Sequence, residues 1–145
     1  MDFLAGLSRP NIHIFHFSSV PLCKIRKAIL SIKSNATGCD NISRRMIIPI
    51  LDQLLPIMSH IINASLSTGI FPSLWRRPIA IPLPKIPNPS LAKHFHPISI
   101  LPFLSKVLEA CAHKQLSEHV HRNNLLCPLQ SGFRPGHSTI TTLLK

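Results

Sequence analysis

Five carboxylates, four cysteines and nine histidines are the side chains through which this chain could hold a metal or move a proton. Their spacing argues against both. The acids are Asp2, Asp40, Asp52, Glu109 and Glu118, and none is adjacent to another. Phosphoryl transfer by two metal ions needs carboxylates that converge on one point, and no paired-acid pattern is present. Cys23, Cys39, Cys111 and Cys127 form no C-x-x-C pair, so neither a zinc ribbon nor a small disulfide framework is expected. Reduced thiols suit an intracellular protein, nuclear or cytoplasmic. The close histidine pairs are His13 with His16, His94 with His96, and His119 with His121. Each supplies half of a tetrahedral site. No catalytic residue and no metal site is read from these groups.

The cations remain. Lys and Arg number 16 against 5 Asp and Glu, a formal charge of +11. Such a surplus suits a polyanion: nucleic acid first, an anionic membrane surface second. An acidic neighbouring segment would balance it equally well. Lys24, Arg26 and Lys27 cluster, Arg44 pairs with Arg45, and Arg76 with Arg77, without any run of five like charges. Dispersed cations on a folded surface fit a phosphate backbone better than a sorting signal. The binding expected is weak and sequence-tolerant, to RNA or DNA.

The elements that must position these groups follow from periodicity. Residues 1–17 read as an irregular segment, with Phe3, Phe15 and Phe17 as anchors. Ser18 or Ser19 can cap a helix with Pro21 in its first turn, carrying Ile25, Ala28, Ile29 and Ile32 at helical spacing. Residues 34–41 form a polar turn centred on Gly38. A second helical region spans 43–68, kinked or divided at Pro49 and Pro56. Its stripe is Leu55, Met58, Ile61, Ile62 and Leu66, and Gly69 is its stop. Residues 77–85 alternate Ile79, Ile81 and Leu83 with prolines, which restricts them to an edge strand or ribbon. Pro87, Asn88 and Pro89 make a turn, and 96–101 is the return strand. A third helix over 104–122 shows Leu104, Val107, Leu108, Cys111, Leu116 and Val120 on one face. A glycine-containing loop at 128–136 precedes a last helix opened by Ser138 or Thr139. The N-terminus carries Asp2 and no basic region, so no signal peptide is read. Residues 53–75 lack any charged side chain, long enough to cross a bilayer. Their Ser, Asn, His and Thr content fits a soluble core better, and no membrane is expected.

Four strings go further than composition. Residues 34–42 include Thr37-Gly38-Cys39-Asp40-Asn41-Ile42, and residues 67–76 include Thr68-Gly69-Ile70-Phe71-Pro72, followed by a strand reaching Pro84-Lys85. His94-Phe95-His96-Pro97-Ile98-Ser99 is followed by Ser105-Lys106-Val107-Leu108-Glu109. Gln130-Ser131-Gly132-Phe133-Arg134 closes the series. In order and spacing these resemble the N-terminal part of non-LTR retrotransposon reverse transcriptases of the jockey-like type. The resemblance implies an α+β fold: the fingers subdomain of a right-hand polymerase, with helices and a proline-rich hairpin over 18–145, and the palm truncated. It implies a piece of an RNA-directed DNA polymerase, inactive alone, whose partners are nucleic acid and the missing palm. Mg2+ is expected of the full-length family and no cofactor of this piece. By resemblance Lys85 and His96 face the nucleotide. Gln130, Gly132, Phe133 and Arg134 contact the template or its backbone, Arg134 by a forked donor. His96 stands where the family has Arg, His94 where it usually has an acid, and Asn41 where it has Gly; these read as decay. A histidine at 96 is shorter than Arg and makes no bidentate grip on phosphate. A non-enzymatic nucleic-acid-binding protein is the second reading and a small membrane-associated protein the third.

Overall fold

The computed structural model describes residues 14–127, together with 130, 132, 134, 136, 138 and 140. It divides into two units. One is Phe17–Lys114; the other joins Met1–His16 to Gln115–Lys145. The architecture is mixed α+β: helices α1 (Leu22–Ser31), α2 (Arg44–Ile47), α3 (Leu51–Thr68) and α4 (Phe103–Arg122), with strands β1 (Ile79–Pro84) and β2 (Phe95–Ile100).

In the larger unit α1 buries Ile25 and Ile29, one turn apart, as their spacing requires. Its start differs from expectation. Pro21 is the N-cap residue, its carbonyl accepts from the amides of Lys24 and Ile25, and no side chain caps the helix. The reason lies on α3. Asn63 Oδ1 accepts from the amide of Val20 at 2.7 Å, and its Nδ2 donates to the Val20 carbonyl at 3.1 Å. That pairing holds the approach extended, so Ser18 and Ser19 do not cap.

Pro49 divides the second helical region as expected, giving α2, a 3-10 turn over Ile48–Ile50, and α3. Pro56 does not divide it. The helix continues through Pro56, forgoing the hydrogen bond its missing amide would have made. Leu51, Leu55, Met58, Ile62 and Leu66 are buried, while Ile61 lies at the edge of the core. Gly69 ends the helix in the left-handed conformation, φ 69°. Arg44–Thr68 is long and apolar enough to cross a membrane by length and composition. One side of it forms the core, and the other exposes Met46, Ile50 and Ile57.

The core is completed by Trp75, which meets Phe71 edge-on at 6.4 Å, and by Phe103, Val107, Leu108 and Cys111 of α4. Burial pushes the Cys111 thiol pKa up, and Lys114 partly opposes this. In the smaller unit the C-terminal part of α4 departs from its expected face. Leu116 is exposed and Val120 half-buried, and the ring of Phe15 meets that of His119 at 5.0 Å. The helix ends at Arg122, and in the turn beyond it Asn124 has φ 51°. Phe133, Thr139 and residues 141–145, on which the last expected helix depends, lie outside the described residues.

Candidate nucleic-acid interface

β1 and β2 pair antiparallel, with Ile79 opposite Ile100, Ile81 opposite Ile98, Pro82 opposite Pro97 and Leu83 opposite His96. Just past β1, the Lys85 amide donates to the His94 carbonyl at 2.7 Å. Inward hydrogen bonds recur at every second residue of such a ladder. They therefore fall at Lys85/His94, Leu83/His96, Ile81/Ile98 and Ile79/Ile100. Pro82, Pro84 and Pro97 occupy the alternate positions, whose amides would point away from the partner strand. The prolines thus cost the ladder no bond and strip donors from its outer edges. This is why a sequence so rich in proline still forms a ribbon.

The same alternation sorts the faces. One carries Ile79, Ile81, Leu83, Ile98 and Ile100, then Lys85, His94 and His96 toward the tip. Lys85 and His96 are diagonal neighbours on it, and both are exposed. Ile79, Ile81, Leu83 and Ile98 are between 39% and 43% exposed. The ribbon therefore offers an aliphatic face ending in cation-capable groups. His94 is committed elsewhere: its Nδ1 accepts from the amides of Ser90 and Leu91, at 3.2 and 3.3 Å. It shapes the tip loop.

The polar turn before α2 sits at the ribbon's base. Asp40 Oδ1 accepts from the Ile42 amide at 3.1 Å, and Asn41 has φ 56°. That left-handed region favours Gly and, among other residues, Asn. Asn41 therefore suits the backbone it occupies, which gives its presence a local physical reason. Cys39 Sγ donates to the Leu74 carbonyl at 3.6 Å. Gly38 is buried against the link between β2 and α4. Neither contact was visible in the sequence, because both join residues far apart in the chain.

Gln130, Gly132 and Arg134 lie in the other unit. There Arg134 Nη1 donates to the carbonyls of Cys127 and Gln130, at 3.3 and 3.2 Å. Gln130 Nε2 donates to the Gly132 carbonyl at 3.3 Å. The expected forked donor is turned onto its own loop, which it braces. Among the described residues no group of three or more His, Cys, Asp or Glu could hold a metal.

Two proteins of Drosophila melanogaster are similar to this chain. Each is 29% identical over 84% of it: the probable RNA-directed DNA polymerase from transposon BS, and the RNA-directed DNA polymerase from mobile element jockey. The chain is thus a distant homologue of retrotransposon reverse transcriptases, and it spans 14% of the length of each. No protein-family profile matches it.

Proposed function

We propose that this chain is a fingers-region segment of a retrotransposon reverse transcriptase, contacting a nucleotide and a nucleic-acid backbone through the exposed ribbon. The observation that carries the reading is the placement of Lys85 and His96 as diagonal neighbours on one exposed face, within a stretch homologous to such polymerases. A triphosphate is held by fixed cations. Lys85 supplies one, and His96 supplies a weaker hydrogen-bonding group where the resemblance places Arg. The acids of this chain include no adjacent pair, so the reading assigns it contact and no bond-making step. RNA or DNA would be bound weakly and without sequence preference.

The test is calorimetric titration of a nucleoside triphosphate at low salt into the parent chain, Lys85→Ala and His96→Arg, each shown to be folded by circular dichroism. One charge-assisted hydrogen bond is worth about 1.5–3 kcal/mol before screening. Affinity should fall on the order of tenfold in Lys85→Ala and rise on the order of tenfold in His96→Arg. Equal affinity in all three folded proteins removes the ribbon from nucleotide contact.

A further inference from the structure

A two-stranded ribbon is marginal by itself in water, and this one is exposed along all of β1 and most of β2. Whatever fixes its direction must act at its base. On one side of the base is the segment leading into β1, anchored by buried Trp75. On the other is the two-residue link Leu101–Pro102, from β2 into α4. A single turn reaches both. A Cβ at position 38 would lie 2.5 Å from Pro102 N and 2.6 Å from Pro102 Cα, so no side chain fits there. The next residue, Cys39, donates to the carbonyl of Leu74. The demand on Gly38 is closeness to another backbone, since its own φ is not in the left-handed region.

We propose that the Gly38–Cys39 turn is a positioning element, which clasps both sides of the ribbon's base and sets the direction in which Lys85 and His96 face. The proposal rests on the nucleotide-contact reading of those two residues for its effect on binding. Its effect on the ribbon itself is independent of that reading. Two of the four strings that carry the polymerase likeness meet at this point, through Gly38 and Cys39 and through Leu74, and the Leu101–Pro102 link they touch joins the two halves of a third.

The experiment is amide hydrogen exchange on the full chain, read at the inward-bonded residues Ile81, Leu83, Lys85 and Ile98. Cys39→Ala should quicken exchange there by roughly two- to tenfold, the equivalent of one modest hydrogen bond. Cys39→Ser, which keeps a donor of similar size, should restore it. Gly38→Ala should quicken exchange further; if it fails to fold, the two Cys39 variants carry the test alone. Triphosphate affinity should fall with Cys39→Ala in the parent chain and fall clearly less when residue 85 is already alanine, the non-additivity expected of residues acting through one another. Unaltered ribbon exchange in Cys39→Ala, no rescue by serine, or equal affinity losses in both backgrounds overturns the proposal. If Lys85→Ala binds triphosphate like the parent while the exchange results hold, the positioning role stands and the nucleotide reading falls.

Discussion

At the scale of single residues, what decides a side chain's part is its environment. Asn41 looks like a lost glycine in the sequence, yet its left-handed backbone accepts Asn. Arg134 looks free to fork onto phosphate, yet it braces the loop that carries it. Lys85 and His96 were singled out by resemblance, and their shared face, though not their contact with a nucleotide, follows from strand alternation once the register is known. Cys39 and Gly38 were not legible as contacts, because nothing local marks a residue that touches another thirty or more positions away. Cysteine chemistry separates cleanly. Cys111 is buried, with its thiol pKa pushed up by desolvation, whereas Cys23, Cys39 and Cys127 are exposed. Thiolate is the reactive form. Labelling the native chain with a thiol-specific disulfide reagent at mildly alkaline pH should show three prompt thiols and one slow one. Four equally prompt thiols would contradict the packing of α4.

At the scale of elements, periodicity located the helices and the ribbon, and the errors cluster at ends and prolines. The capping serines failed because Asn63 holds Val20 extended, a contact spanning 43 positions that no window of sequence contains. Pro56 did not divide α3, because a buried apolar stripe on either side of it outweighs one lost bond. The two sides of α3 differ in consequence. Ile62 is 1% exposed and Ile57 59%. Ile62→Ala should cost about 2–5 kcal/mol by opening a cavity, whereas Ile57→Ala should stay within roughly 0.5 kcal/mol. Urea unfolding of the two variants measures both. Comparable losses would mean that the outer side of α3 is covered.

At the scale of the whole molecule, charge is the property most plainly written in the sequence. The chain carries +11, and no acid occurs between Asp52 and Glu109, the stretch that contains the ribbon. Among the described residues Arg26 pairs with Asp52, and 16 cations against 5 acids leave a surplus to meet a polyanion. Binding to single-stranded RNA or DNA should be sequence-tolerant and steeply salt-dependent. With about 3–5 phosphate contacts, affinity should fall roughly tenfold to a few hundredfold between about 50 and 200 mM salt. Filter binding at several salt concentrations, on two unrelated sequences, reads this directly. A flat salt response or a strong preference for one sequence would refute an electrostatic interface.

The proline-edged ribbon also bears on how the chain would be degraded. Digestive enzymes that cut after Lys or Arg take their substrates as extended strands, reading main-chain groups along an open edge, as other strand-adding partners do. Here Arg77 is followed by Pro78, and Pro82 and Pro84 remove the donors such an enzyme would grasp. The cations most open to attack are then Lys85 and Lys93, at the tip, where loops are ordinarily nicked. A ribbon standing clear of the core, basic and exposed, would thus be resistant along its stem and vulnerable at its end, beside the lysine it presents.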